Sequence, residues 1–150
     1  VKKIPILGGS EYHRDTPFIF LGGPSMGVYA ESAGTSDILA AIKQGHAFIT
    51  FAPNGPAVEI SSGEAMMGDS VSWNDVKTMN IHVSGLVTGD LLRVVTGDSS
   101  EVIFKAETDA EVTVNYSMAG LGFARIEILR VFIPGLPPLP ALITNPIYFD

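Results

Sequence analysis

Two hydrophobic periods divide the chain, and the change between them falls near residue 52. In the first third, SDILAAIKQGHA carries apolar residues at helical spacing, with Ile38, Leu39 and Ile42 on one face. Ser36 stands where its oxygen can accept first-turn amides, and Asp37 complements the positive end of the helix dipole. Lys43 suits the last turn, and Gly45 suits the left-handed position that closes a helix. Together these signals predict a helix of about nine residues. Residues 3–7 predict a short buried strand that stops at Gly8-Gly9. Residues 17–21 form a second apolar run, ending at Gly22-Gly23-Pro24.

Beyond residue 52 the pattern becomes alternation. Met79, Ile81 and Val83 fall on one face, and Asn80, His82 and Ser84 on the other. Val112, Val114, Tyr116 and Met118 alternate with Thr113, Asn115 and Ser117. Residues 47–51, 57–60, 91–95, 101–107 and 123–132 add strands, separated by turns such as Pro53-Asn54-Gly55-Pro56 and Gly89-Asp90. Residues 134–140 hold too many prolines for a central strand and read as a loop before a last strand at 142–149. The expectation is a mainly β fold: an Ig-like antiparallel β-sandwich of about seven strands, preceded by a short α/β segment with one helix. Two units follow, 1–52 and 53–150. The first is too small to bury a core alone, so it packs on the sandwich or belongs to a larger body.

Composition narrows the function classes. At 150 residues and 46% apolar, the chain is long enough for one real core. A net charge of −7 with nine scattered Lys and Arg argues against nucleic acid as a partner. The longest apolar stretches are broken by proline and fall short of the roughly 20 residues of a membrane span. With no signal peptide visible either, a soluble protein of unread compartment is expected. Zero cysteines exclude disulfides and thiolate metal sites. A first residue of Val1 rather than Met suggests a processed chain or an excised piece.

The densest chemistry lies in GGSEYHRD, residues 8–15. Glu11 and His13 form an E-x-H pair whose oxygen and nitrogen donors suit Zn, Mn or Fe. Two donors are fewer than a metal site needs, so on its own the stretch reads as a solvated loop. Gly23-Pro24-Ser25-Met26-Gly27 matches G-x-S-x-G, but the following VYAESAGT is a poor helix, so Ser25 is not expected to be a nucleophile. His46 reads as a cation at a helix C-terminus, His82 as a surface residue, and Trp73 as a packing residue. In GEAMMGD, Met66 and Met67 are expected to fill a gap. Asn115-Tyr116-Ser117 fits a glycosylation sequon, which matters only in a secretory pathway.

Taken in order, GGSEYHRD, LGGPSMGVYAES, SDILAAIKQGHAFIT, NGPAVEISSGEAMMGD and ALITNPIYFD resemble the C-terminal portion of a PHP-type (polymerase and histidinol phosphatase) metal-dependent hydrolase of the CehA/McbA branch. The resemblance covers nearly the whole chain. It implies that 1–52 is the C-terminal remnant of a PHP-like α/β metallohydrolase domain and 53–150 an accessory β-sandwich domain. It also implies that His13 matches the terminal histidine ligand, Glu11 an aspartate ligand, Ser10 the turn serine, and Arg14 a substrate-binding cation. Glutamate in place of aspartate reaches about one methylene further, which alters the implied site. Divalent metal ions (Zn, Mn or Fe) are implied for the intact parent protein, held largely by an H-x-H pair and other ligands ahead of Val1. The implied partner is therefore the N-terminal PHP catalytic portion of the same parent chain. The implied activity is metal-dependent phosphoester hydrolysis by that parent, with this chain alone inactive. The alternative is a non-enzymatic β-sandwich module that binds carbohydrate or a protein partner, marked by an exposed aromatic row on one sheet.

Overall fold

The computed structural model describes residues 3–14, 20–74, 78–97, 99–118, 120 and 122–150. Strands β1 (Ser25–Val28) and β2 (Ala47–Thr50) flank helix α1 (Thr35–Gln44). There follow β3 (Ala57–Ser62), β4 (Ala65–Met66), β5 (Ser70–Val71), β6 (Thr78–Leu86), β7 (Leu91–Thr96) and β8 (Ser100–Lys105). The last four are β9 (Ala110–Ser117), β10 (Gly122–Arg130), β11 (Leu139–Thr144) and β12 (Ile147–Phe149). They build a mainly β sandwich. One sheet has eight strands in the order β1-β2-β11-β10-β12-β5, with β7 on the other edge of β10 and β8 beyond it. The other has four, in the order β4-β3-β6-β9. The pairings are antiparallel except β12 with β5.

The alternation that marked the strands also forms the core. Met79, Ile81 and Val83 of β6 are fully buried, and they share one cluster with Leu92, Val94, Ala124, Ile126 and Ile128 of the larger sheet. Each fully buried side chain of this size contributes about 1.5–3 kcal/mol relative to exposure. Tyr29, just after β1, ties the two sheets together: its hydroxyl donates to the Val58 carbonyl at 2.8 Å. Burial, with a smaller contribution from the Glu59 charge, pushes its phenol up to about 12, so it stays a donor.

Several local expectations are corrected. Helix α1 does close on Gly45, at φ 85. At its start, however, the flanking residue is Gly34 with no side-chain cap. The Ser36 hydroxyl turns to Asp37 instead, at 3.3 Å. Leu39 is half exposed, and Ala41 is the helix residue that is buried. Residues 3–7 are not a strand, and Ile4 and Leu7 are exposed. Of the apolar run at 17–21, only Phe20 and Leu21 are among the described residues. The expected single strand at 142–149 is two strands, β11 and β12, interrupted at Asn145-Pro146. Pro140 lies inside β11, opposite Leu129, where a bulge in the β10–β11 pairing accommodates its missing donor. Pairing also runs across residue 52, because Thr50, Ile49 and Phe48 of β2 align with Leu142, Ile143 and Thr144 of β11.

Two buried ionic clusters complete the larger sheet. Asp90, almost fully buried, takes a two-pronged contact from Arg130, at 2.9 Å from Nε and 2.6 Å from Nη2. Glu127, on the face of β10 opposite Ile126 and Ile128, is buried beneath Arg93 and Arg125. Burial alone would raise the Glu127 carboxyl. The hydrogen bonds and charges of the two arginines outweigh it and hold the group below its ordinary 4.5. A carboxyl depressed in the folded state contributes stability that is complete above its unfolded value. That stability is lost as pH falls through the folded value. Glu127→Gln is therefore expected to cost about 1–3 kcal/mol at neutral pH and to flatten the decline in stability below pH 4.5. Denaturant titrations across that window check this; an unchanged acid slope would contradict it.

Candidate functional site

The N-terminal segment, residues 3–14, runs as a strap held on the sandwich by contacts at several points. Lys3 donates to the Ser70 hydroxyl, and its ammonium lies 4.5 Å from the Tyr148 ring centroid. The Ile6 amide donates to Asn145 Oδ1 at 2.8 Å. Asn145 Nδ2 in turn donates to the Ala47 carbonyl at 2.8 Å and approaches the Ile6 carbonyl at 3.5 Å. Two residues on, Gly8 packs so closely on Ile49 that a Cβ there would come within 2.9 Å of its side chain. Absence of a side chain lets the strap lie flat at this point.

From Gly8 the strap enters the turn that carries the candidate ligands. Ser10 Oγ accepts the Tyr12 amide at 3.3 Å, a local bond that favours a turn over a strand. Glu11 takes φ 47 and is the non-glycine residue of positive φ among the described residues. A left-handed conformation costs a residue with a Cβ roughly 1–2 kcal/mol. Glu11, His13 and Arg14 are all exposed. The three predicted residues, neighbours in the sequence, stand on one solvent-facing turn. Oxygen and nitrogen donors suit a divalent ion, yet no group of three or more His, Cys, Asp or Glu able to hold a metal occurs among the described residues. This pair by itself does not complete a metal site.

The other sequence candidates have structural partners. His46 Nε2 lies 2.9 Å from Asp69 Oδ1, and Asp69 Oδ2 accepts the Met66 amide at 2.9 Å. Ser25 donates to the Gly22 carbonyl and opens β1 rather than a helix, so no nucleophile elbow forms. His82 lies 3.0 Å from the Thr113 hydroxyl and 3.4 Å from Glu111. Trp73 packs edge-on against Phe149, and Met67 is fully buried.

Asn145, which the sequence pattern did not single out, is almost fully buried and hydrogen-bonded at both ends of its amide. Each residue around it completes a bond that the strand break would leave open. Thr144 Oγ1 accepts the Ile126 amide at 2.9 Å, and the Pro146 carbonyl accepts the Gly68 amide at 2.7 Å. Gly68 sits where a Cβ would meet the Gln44 carbonyl at 2.2 Å. The helix end, the GEAMMGD turn, the strap and TNPIY therefore meet around one cleft of about 300 Å³, lined by Lys3, Lys43, Asp69, Asn145 and Tyr148 among others.

A second concavity is apolar. About 680 Å³ in volume, it is walled by Phe20, Ile49, Phe51, Phe132, Leu136 and Leu139 among others. Ile49 is common to this groove and to the Gly8 contact. Phe132, Ile133, Leu136 and Leu139 are exposed in the loop that leads into β11 and in its first residue.

Fold and site define a mainly β, two-sheet protein whose strap carries an exposed Glu-x-His turn and packs, at Gly8, on Ile49 of an apolar groove. No helix among the described residues is long and apolar enough to cross a membrane. Comparison with protein families, curated proteins and solved structures finds no match.

The strain at Glu11 makes a prediction about stability. Glu11→Gly relieves the positive φ while removing only an exposed side chain. Global stability should stay level or rise by up to about 1 kcal/mol. A loss above about 1 kcal/mol in chemical denaturation would show that Glu11 is held for structural reasons.

Proposed function

We propose that this chain is the C-terminal part of a PHP-type metal-dependent phosphoesterase. In that enzyme Glu11 and His13 supply one corner of the ligand set, and Arg14 faces an anionic substrate group. The observation that carries this reading is the conformation of the turn: Glu11 adopts a costly left-handed backbone two residues before His13, with both exposed. Strain at an exposed polar residue is characteristic of functional sites, where geometry is selected over stability. The resemblance of the flanking motifs supplies the reaction class. Because the two donors do not complete a metal cage, hydrolysis belongs to the parent protein and not to this piece.

A second reading, a sandwich module that binds a protein partner, is favoured by the exposed apolar groove. Among the described residues the exposed aromatics are Tyr12 on the strap and Phe20 and Phe132 lining the groove, not a row along a sheet, which gives the carbohydrate version less support.

Hydrolysis of bis(p-nitrophenyl) phosphate with added Mn²⁺ or Zn²⁺ tests the first reading. This chain alone should show no turnover above buffer. The parent protein should be active, and Glu11→Ala or His13→Ala in it should lower kcat/KM by about 100-fold. Turnover by the isolated chain, or a parent whose activity ignores both substitutions, would overturn the proposal.

A further inference from the structure

We propose that the outer edge of β9 takes an added strand from a partner. The strand is an extended peptide with apolar residues at alternate positions and Lys or Arg toward its C-terminal end, bound antiparallel. The proposal rests on the sandwich alone and not on the metal-site reading.

β9 ends the smaller sheet. It pairs with β6 on one side, and among the described residues no strand pairs with the other. An edge of this kind presents a row of backbone N–H and C=O groups that can bond another chain. β9 is eight residues long and keeps an unbroken register with β6 from Val112 to Ser117. Other sheet edges are blunted. β1, β4 and β5 have only four, two and two residues. β8 carries an extra residue, Ile103, between the positions paired with Leu92 and Arg93. On β9 no Lys, Arg or Pro stands to repel or interrupt a neighbour.

Burial falls off toward this edge. Met79, Ile81 and Val83 of β6 are fully buried, whereas Tyr116, Val114 and Val112, paired with them, are only partly buried against the core. A strand added about 4.8 Å beyond β9 lays every second side chain beside these three. Apolar residues at those positions extend the cover of the core. The residues between them face solvent, beside Thr113, Asn115 and Ser117, which are exposed. The pleat thus sets the period of the peptide.

Charge sets its polarity. Glu107 and Asp109 stand just before β9, Glu111 is its second residue, and all three are exposed. No Lys or Arg occurs from 106 to 124. The basic groups beside these carboxylates are Lys105, 3.8 Å from Glu107, and His82, 3.4 Å from Glu111. One end of the edge is therefore acidic, and the other, at Asn115 and Ser117, is uncharged. Pairings in the smaller sheet are antiparallel, and continuing that pattern puts the C-terminal end of an added strand beside Ala110. Basic residues there meet the carboxylates. A second copy of this chain has no Lys or Arg on its own β9 and does not meet them.

Fluorescence anisotropy of two labelled peptides of equal composition, TVTVTVKK and KKVTVTVT, tests this. The first should bind this chain about fivefold more tightly, and Glu111→Lys should erase that preference. Thr113→Lys, at an exposed position, should weaken binding of both peptides by about fivefold or more. Methylating the backbone nitrogens of TVTVTVKK should abolish its binding. In ¹⁵N spectra the largest shifts should fall at 110–117. No binding of either peptide at about 1 mM overturns the proposal, as does binding that survives the backbone methylation. Largest shifts at Phe132 and Leu136 overturn it in favour of the apolar groove. Tighter binding of KKVTVTVT overturns the assigned polarity. A dimer of the chain alone that Thr113→Lys dissociates overturns the peptide as occupant in favour of a second copy.

Discussion

One side-chain amide does the work of a missing strand at the point where the larger sheet breaks. Asn145 sits between β11 and β12, both of which pair with the same edge of β10. A chain stepping from one register to the next would leave backbone groups buried without partners, each costing about 1–3 kcal/mol. The sequence Thr144-Asn145-Pro146 resolves this residue by residue. A threonine hydroxyl accepts the Ile126 amide, and the asparagine amide bridges Ala47 and Ile6. The proline removes one donor altogether, while its carbonyl receives Gly68. The helix end, the GEAMMGD turn and the strap are all located by reference to this node.

The sandwich supplies the rigidity that makes such a node useful. Its core joins the inner faces of both sheets in one apolar cluster, and Tyr29 adds a polar tie between them. Among the described residues, the two buried carboxylates in and beside the larger sheet are held in closed clusters. Asp90 with Arg130, and Glu127 with Arg93 and Arg125, pair buried carboxylates with guanidinium groups that are themselves partly covered. Such clusters fix register because breaking them leaves a charge buried without a partner. On the strap, by contrast, Glu11, His13 and Arg14 are exposed.

How much of this was legible depended on the range of the interactions. Alternation at 79–83 and 112–118 disclosed its strands because one face of each is buried. Gly45 disclosed the helix end because the left-handed position is a local requirement. Residues 3–7 misled for the opposite reason. Their apolar run imitates a strand, but the Ile6 amide finds its acceptor 139 positions away, on a side chain. Arg93 and Glu127 meet across a separation of 34 positions, which no local pattern reveals. Glu11 and His13 were visible as a pair through spacing alone. The strain at Glu11 was not, since Gly8 and Gly9 stood three and two positions before it to take up any unusual backbone angle.

The turn therefore joins local chemistry to long-range placement, and a metal-binding role requires both. Adding Mn²⁺ to the ¹⁵N-labelled chain reports, residue by residue, where a paramagnetic ion resides. The metal-site reading predicts that amide signals of Glu11, Tyr12, His13 and Arg14 broaden first and most strongly. Broadening that begins instead at His46 and Asp69, or at His82 and Glu111, would contradict it, as would uniform broadening along the chain.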